Sequence, residues 1–270
     1  MVQKNKTKNK VAPKKHLGQH FLNDEAIADN IARALIEKNS CKHVLEIGPG
    51  MGVLTKYLLK ENSFITHAID IDHESVLWLQ EHFPQLTPNL IEGDFLKLDL
   101  KQVINEPFSL IGNSPYNISS QIVFKMLDNR KQIPFMVGMF QKEVAERFCA
   151  APRHKEYGIL SVLTQAYYEA EYLFTVDEHV FTPPPKVKSG VIRLKLRNEE
   201  PDIEQSLLFR TVKVAFNQRR KKLRNALQQF QLNDSILQQV GFIDKRAEEL
   251  SISDFIHLSK LIEQHGKTHD

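Results

Sequence analysis

Glycines and acidic residues follow three successive apolar runs, and their types and spacing suit a nucleotide-like ligand. The first run leads into Gly48-Pro-Gly50-Met-Gly52, where glycine lets the backbone approach a ligand closely and adopt positive φ. Asp70, about twenty residues further on, is the preferred acceptor for two ribose hydroxyls, with Asp72 as the alternative. Asp94 follows the third run and is placed to accept an exocyclic purine amine, with Phe95 against the ring.

The glycine spacing decides which nucleotide-like ligand is favoured. It is Gly-x-Gly-x-Gly, whereas dinucleotide sites use Gly-x-Gly-x-x-Gly, so a nicotinamide dehydrogenase is a disfavoured alternative. Each residue alone is more often a helix cap or a turn residue. Three strand ends that carry Gly, Asp and Asp in order instead resemble the S-adenosylmethionine pocket of Rossmann-like methyltransferases.

The tetrapeptide Asn113-Ser114-Pro115-Tyr116 follows the fourth run and carries groups that can activate an aromatic amine. The Asn113 side-chain oxygen and the Ser114 backbone carbonyl can each accept one N–H, which favours a pyramidal nitrogen with its lone pair toward a methyl donor. Pro115 stiffens the turn, and Tyr116 can stack on a flipped base. Alone this is an ordinary turn; in this context it resembles the (Asn/Asp)-Pro-Pro-Tyr class of amino-group methyltransferases, in which catalysis is mostly positioning.

Alternating strand and helix patterns must position these residues. Apolar residues recur at helical spacing after Asn23 or Asp24, either of which can cap the helix. Strands are predicted at 43–47, 64–69, 89–91, 108–111 and 135–139, with helices at 53–60, 74–82, 120–127 and 142–148. A helix over 159–168 precedes two extended segments, 172–176 and 191–196, that suit strands added at the end of the sheet. The pattern predicts an α/β fold with a mostly parallel sheet that is covered by helices on both faces. The resemblance of the pocket implies that this is a Rossmann-like class I methyltransferase sheet.

A polar, proline-containing linker at 197–202 separates this pattern from purely helical ones. We therefore predict three regions. Residues 1–13 form a disordered basic tail, residues 14–200 the methyltransferase domain, and residues 201–270 a small all-α domain that contacts RNA.

Charge is unevenly distributed although the net charge is only +3. Residues 1–20 contain six Lys and no acid, residues 205–233 contain seven Lys and Arg and no acid, and the body between them is acidic. Two basic regions favour a polyanionic partner over the alternative of a solvated tail and helix face. Five residues of the second region suit phosphate contacts: Asn217, Arg219, Arg220, Lys221 and Lys222.

Composition excludes several other classes. With 41% hydrophobic and 26% charged residues the chain is typical of a globular protein. Two cysteines cannot form a disulfide scaffold, and the 11 histidines lack metal-ligand spacing, so no metal is predicted. No apolar run is long enough to span a membrane or serve as a signal peptide, so we expect a cytoplasmic protein, with a monomer as the default.

Six motifs in order give a more specific resemblance. The chain is similar to the KsgA (RsmA) family of ribosomal RNA adenine N6,N6-dimethyltransferases from about Lys14 to about Ile256. The motifs are Lys14-Lys-His-Leu-Gly-Gln19-His-Phe-Leu22, Glu46-Ile-Gly-Pro-Gly50, Asn113-Ser-Pro-Tyr-Asn117, Phe140-Gln-Lys-Glu-Val144, Phe181-Thr-Pro-Pro-Pro-Lys-Val187 and Ala215-Phe-Asn-Gln-Arg-Arg-Lys221.

The resemblance implies S-adenosylmethionine-dependent dimethylation of two adjacent adenines in the 3′-terminal hairpin of small-subunit (16S) ribosomal RNA, late in subunit assembly. It implies RNA contacts from 217–224 and stacking of Phe181 on the target base opposite Tyr116, although Phe181 beside three prolines also suits a core anchor. The implied donor contacts are His20, Leu22, Gly48, Asp70, Asp94 and Asn113.

Three positions depart from the family pattern. His20 stands where Asn is usual, Asp70 where Glu is common, and Ser114 where Leu is usual. Because the role assigned to residue 114 belongs to its backbone carbonyl, we expect little loss there. A non-catalytic RNA-binding assembly factor that keeps the fold is the alternative function, and retention of Asn113, Pro115 and Tyr116 argues against it.

Overall fold

The computed structural model describes residues 11–266, which divide into two compact units. The first comprises residues 11–145 and 172–195, and the second comprises residues 146–171 and 196–266. The break after residue 195 lies close to the predicted boundary, but residues 146–171 group with the C-terminal helices instead of the sheet. The tail predicted over 1–13 lies outside the described residues except for its last three, which are in neither helix nor strand.

One sheet of seven strands dominates the first unit, in the order β4-β3-β2-β5-β6-β9-β7. β2 to β6 are parallel, and β9 runs antiparallel to β6, which confirms the predicted α/β fold and the strands added at its end. The strands are β1 (Phe21–Leu22), β2 (His43–Ile47), β3 (Ile65–Asp70), β4 (Leu90–Glu92), β5 (Phe108–Asn113), β6 (Phe135–Gln141), β7 (Tyr168–Val176), β8 (Phe181–Thr182) and β9 (Ser189–Leu196).

The direction of strand addition changes between β2 and β5, which are neighbours in the sheet but not in the chain. Ligands of open α/β sheets bind outside the carboxyl ends of the strands at such a switch point. The helices that flank or follow the strands are α1 (Glu25–Ile36), α2 (Thr55–Leu58), α3 (His73–His82), α4 (Leu100–Val103), α5 (Ser119–Asp128), α6 (Lys142–Cys149), α7 (Ile159–Gln165), α8 (Gln205–Asn217), α9 (Leu223–Ala226), α10 (Asp234–Gln239) and α11 (Ile252–His265).

Helix α1 shows how local sequence and packing agree. The Asp24 side chain caps it by accepting from the Ile27 N–H at 3.0 Å, as one of the two predicted caps. Ala28, Ile31 and Leu35 recur at helical spacing, are fully buried, and belong to the core cluster that includes β2, β5 and β6 residues. β5 is buried at five consecutive residues, as expected for a strand covered on both faces.

One local prediction was wrong, and one element was not predicted. The helix predicted over 159–168 ends at Gln165, and β7 begins at Tyr168, which is buried while the next residue, Glu169, is exposed. The second sheet, formed by β1 and β8 with Leu22 opposite Phe181, was not predicted, because two-residue strands carry no periodicity.

The second unit has its own core. Rings of Phe216 on α8 and Phe255 on α11 stack with centroids 5.7 Å apart. The buried Tyr157 hydroxyl donates to the Leu250 carbonyl at 2.8 Å, so this tyrosine fastens the start of the unit to the turn before α11. Ser251 and Asp254 cap α11 reciprocally. These contacts support the helical packing that the sequence predicted.

Candidate active site

A cleft at the carboxyl ends of β2, β3, β4 and β5 brings together most of the predicted site residues. Its volume is about 760 Å³, counted to its open mouth. Seven predicted donor-binding residues line it, together with three residues of the tetrapeptide: His20, Gly48, Gly50, Asp70, Asp94, Phe95 and Asn113, with Ser114, Pro115 and Tyr116.

The glycine turn after β2 needs glycine for two different reasons. Gly48 has φ of 63°, and a Cβ there would meet no atom within 4 Å, so its conformation is the constraint and its open side lies in the cleft wall. Gly50 has φ of 57°, and a Cβ there would lie 2.8 Å from the Phe21 ring. At Gly50, therefore, both the positive φ and the nearby Phe21 ring require glycine.

Asp70, the preferred ribose acceptor, is fixed by backbone donors on both of its oxygens. The N–H of Gly50 donates to Oδ2 at 3.0 Å, and the N–H of Asp72 donates to Oδ1 at 2.9 Å. Burial raises the pKa of Asp70, and these backbone bonds oppose the rise. A carboxylate oxygen has more than one acceptor direction, so both oxygens keep capacity for ligand hydroxyls.

Asp72, the alternative acceptor, is occupied by other contacts. It caps α3, accepts from Gln19 Nε2 at 3.0 Å and forms an ion pair with Lys14. Burial would raise the pKa of Asp72, but the Gln19 and Lys14 bonds hold it below its usual value. Asp72 therefore anchors the 14–20 segment along the cleft, and Asp70 lines the cleft itself.

The base-binding side of the cleft contains one residue that the sequence analysis missed. Asp94 caps the 3-10 turn Phe95–Lys97, accepting from the Leu96 N–H at 2.9 Å, and Phe95 lines the cleft while almost fully buried. Ile71 also lines it and is 54% exposed, which is unusual for a large apolar side chain. The sequence could have indicated Ile71, because this apolar residue lies directly after Asp70 and between two acids.

Asn113 has a defined orientation. Its Nδ2 donates to the His20 carbonyl at 3.0 Å. A carbonyl only accepts, so the amide nitrogen must face His20, and Oδ1 is turned away from that carbonyl.

Tyr116 is held from two sides. Its hydroxyl pairs with Ser189 Oγ at 2.6 Å, and its ring stacks on the His20 ring at 5.4 Å between centroids. The His20 Nδ1 lies 2.7 Å from the Pro183 carbonyl and must donate to it. The stacked rings place His20 in the cleft wall, where its predicted contact with the methyl donor stays a prediction.

Ser114 is 1% exposed, and its Oγ has no partner among the described residues. Its N–H donates to the Met139 carbonyl at 3.2 Å, which ties the turn to β6. The buried hydroxyl therefore forms no hydrogen bond within the described residues, which agrees with the assignment of the predicted role to the backbone carbonyl of Ser114.

Two predicted side chains do not line the cleft. Leu22 and Phe181 are paired across β1 and β8 and are 4% and 2% exposed in the core cluster. A ring buried to this extent presents no face to a base, so the structure favours the core-anchor alternative for Phe181. Leu22 instead lines a small adjoining cavity of about 330 Å³ with Phe21 and Gly48.

Glu46 is a second missed residue. It lies in β2 two residues before Gly48, is 1% exposed, and accepts from the Thr55 hydroxyl at 2.6 Å. Burial raises the pKa of Glu46 to about 8, with Asp70 adding to the rise. The bond ties β2 to α2 across the turn, so this carboxyl supports the backbone of the cleft.

The predicted RNA-contacting residues lie in the second unit, between α8 and α9. Arg219 Nε pairs with Glu248 at 2.6 Å, and Lys222 Nζ pairs with Asp244 at 2.7 Å. Asn217, Arg220 and Lys221 are exposed, and no described acid forms an ion pair with the latter two. Arg220 and Lys221 therefore carry the uncompensated charge of this segment.

The cleft fits S-adenosylmethionine by its donor and acceptor set. The open side of Gly48 leaves room for ligand atoms, buried Asp70 offers acceptors for ribose hydroxyls, and Asp94 with Phe95 and Ile71 suits an adenine. Within residues 11–266, no group of three His, Cys, Asp or Glu side chains is arranged to hold a metal ion. No helix of the described chain is both long and apolar enough to cross a membrane.

The strand order and the cleft define a class I methyltransferase, and comparison with known proteins identifies the family. The model of the family described as "Ribosomal RNA adenine dimethylase" matches residues 11–264. The chain belongs to this family, which confirms the resemblance seen in its motifs and leaves the nicotinamide dehydrogenase alternative without support.

Relatives and solved structures agree with this assignment. "Ribosomal RNA small subunit methyltransferase A" of Cytophaga hutchinsonii is 57% identical over 94% of this chain and 98% of its own length. The protein of that name in Flavobacterium johnsoniae is 55% identical over 95% and 98%. A dimethyladenosine transferase structure from Plasmodium falciparum shares the fold, with a TM-score of 0.79 at 24% identity over 92% and 99% of the two chains. The 23S rRNA methyltransferase ErmE has a TM-score of 0.68 at 27% identity over 90% and 100%.

Proposed function

We propose that the protein transfers methyl groups from S-adenosylmethionine to the N6 amines of two adjacent adenines in the 3′-terminal hairpin of small-subunit (16S) ribosomal RNA, giving N6,N6-dimethyladenines late in subunit assembly. Family membership supports the reaction class. Relatives above 50% identity carry a small-subunit name, whereas ErmE, named for 23S RNA, is 27% identical. This difference favours the small subunit as substrate.

The observation that carries the proposal is the orientation of Asn113. An adenine N6 lone pair is delocalised into the ring, so the amine reacts only when it is pulled out of conjugation. With Nδ2 committed to the His20 carbonyl, Oδ1 is the atom that accepts one N–H of the amine, and the Ser114 carbonyl accepts the other. When bound, S-adenosylmethionine supplies a methyl group on a positively charged sulfur with an excellent leaving group.

The remaining residues bind and orient. Asp70 accepts the ribose hydroxyls of the donor, and Asp94 accepts its adenine amine, with Phe95 and Ile71 against the ring. Tyr116, held by Ser189 and His20, stacks on the flipped target base. Since Phe181 is buried, Tyr116 alone is proposed for stacking.

The basic segment, residues 217–224, is proposed to hold the RNA. It does so through phosphate contacts, which position the RNA without reading its sequence. Arg220 and Lys221 are the principal contacts, and Asn217, Arg219 and Lys222 assist them. We further propose that the protein is cytoplasmic, acts as a monomer and needs no metal.

The test is methyl transfer onto small subunits purified from cells that lack the modification. Tritiated S-adenosylmethionine should label the RNA, and mass spectrometry of the digested RNA should find dimethyladenosine at two adjacent positions. Tight subunit binding without label would instead favour the non-catalytic assembly factor. Label on 23S RNA and none on small subunits would contradict the proposed substrate.

A further inference from the structure

Lys125 lies on α5 and reaches the loop after β4, a contact that the proposed mechanism does not use. Its ammonium donates to the Leu96 carbonyl at 3.0 Å and to the Leu98 carbonyl at 2.5 Å. The same nitrogen lies 5.3 Å from the centroid of the Phe95 ring. One cation thus contacts three residues of a short loop.

This loop carries the two residues assigned to the adenine of the methyl donor. Asp94 opens the 3-10 turn and Phe95 is its first residue, and the backbone of the turn is closed by the Leu98 N–H on the Asp94 carbonyl at 3.1 Å. A 3-10 turn of three residues is held by few bonds of its own, so contacts from outside decide how firmly it is fixed.

The chemistry of the contact suits an ammonium. Two carbonyls and an aromatic face all attract a cation, and Lys offers three donor hydrogens on one nitrogen. Burial lowers the pKa of Lys125, and Asp94 and Asp99 oppose this effect, so the two acids of the loop help to keep the side chain charged.

We propose that Lys125 is a positioning residue for the methyl donor, which holds the 94–98 turn so that Asp94 and Phe95 face the cleft. This inference rests on the proposed function, since it takes the cleft to bind S-adenosylmethionine. Without the ammonium, the Leu96 and Leu98 carbonyls lose their partner and the turn samples other conformations. The donor then binds only to the fraction of molecules with the turn in place, so its apparent association constant is reduced to that fraction of the intrinsic value.

Lys97 provides a matched control within the same turn. Its side chain is 86% exposed and lies 3.8 Å from Asp94, so Lys97→Met removes one positive charge near that acid without removing any bond to the turn's carbonyls. An electrostatic effect on Asp94 would appear in both variants, whereas loss of the carbonyl bonds would appear only in Lys125→Met.

The experiment is isothermal titration calorimetry of S-adenosylmethionine into the full chain and its variants, with thermal unfolding recorded for each. We expect Lys125→Met to weaken binding about tenfold and Lys97→Met to change it less than twofold. Lys125→Arg, which can also donate to two carbonyls, should recover most of the affinity. In methyl-transfer assays, Lys125→Met should raise the donor KM with little change in kcat.

Two results would overturn the inference: unchanged donor affinity in Lys125→Met, or an equal loss in Lys97→Met. If Lys125→Met does not fold, Lys125→Leu, which also lacks a donor, serves in its place with the same expectations. Failure of the unaltered protein to bind S-adenosylmethionine would instead count against the proposed function, so the two failures are distinguishable.

Discussion

The donor cleft and the basic segment both contain residues proposed to touch a ligand, but the two regions hold them in different ways. In the cleft, Asp70 and Asn113 are fixed by backbone groups at 2.9–3.0 Å before any ligand arrives. In the basic segment, Arg220 and Lys221 are exposed, and their neighbours Arg219 and Lys222 are committed to acids.

The difference reflects what each region has to do. Methyl transfer depends on geometry to within fractions of an ångström, so rigid acceptors avoid reorganisation during the reaction. Phosphate contacts depend mainly on charge and tolerate flexible side chains. Substitutions in the cleft should therefore have large, position-specific effects, and those in the basic segment should have small effects that depend on salt.

Asn113→Ala is the largest expected effect. Removing Oδ1 should lower the rate of methyl transfer about 10²- to 10³-fold, as for other groups that stabilise a developing charge, while donor affinity measured by calorimetry stays within a few fold. The variant also frees the His20 carbonyl, so unfolding should be measured in parallel. Undiminished turnover would show that Asn113 does not accept a hydrogen bond from the amine.

Glu46→Gln tests how the buried Glu46 carboxyl, which ties β2 to α2, contributes to the stability of the protein. The pKa of Glu46 is raised in the folded protein to about 8, so its contribution to stability is fully present below about pH 4.5 and is lost as pH rises through 8. Between pH 5 and 8.5, the free energy of unfolding of the unaltered protein should fall by on the order of 3 kcal/mol more than that of Glu46→Gln. Urea titrations at several pH values measure this, and parallel curves would contradict it.

Asp70→Asn and Asp72→Asn separate the two neighbouring acids. Asp70→Asn replaces one acceptor oxygen by a donor and should weaken S-adenosylmethionine binding about tenfold, since a hydrogen bond to a charged group is lost. Asp72→Asn breaks the ion pair with Lys14 and should lower the melting temperature, with a smaller effect on donor affinity. The reverse pattern would make Asp72 the ribose acceptor.

The smallest effect is expected in the basic segment. Arg220→Ala with Lys221→Ala should weaken small-subunit binding several-fold and reduce the slope of log affinity against log salt by up to about two. Arg219→Ala with Lys222→Ala removes the same formal charge but also breaks two ion pairs, so its effect on the slope should be smaller. Equal slopes for both double variants would place the RNA contacts elsewhere.

Local sequence patterns correctly predicted the elements that are determined by residues close together in the sequence. β2 has the predicted bounds, His43–Ile47, because an apolar run followed by glycines is typical of a buried parallel strand. Asp24 caps α1, and Gly48, Asp70, Asp94 and Asn113 meet at one edge because the carboxyl ends of parallel strands do.

Contacts between distant parts of the chain could not be predicted from such patterns. The burial of Phe181 depends on pairing with Leu22, and the ion pairs of Arg219 and Lys222 depend on acids more than twenty residues away. Tyr167 and Tyr168 fit a helical spacing as well as a strand, and only the packed fold distinguishes the two.

The pairing of β1 with β8 has a consequence for the order of events during protein synthesis. His20 and Pro183, which are in contact beside this pairing, are 163 residues apart in the chain, so the segment that orients Asn113 and Tyr116 gains its partner only after most of the chain has been made. A nascent chain that ends before residue 183 has both the glycine turn and Asn113, but not the anchored His20. The enzyme is therefore expected to become active toward ribosomes only after its own translation has passed residue 183.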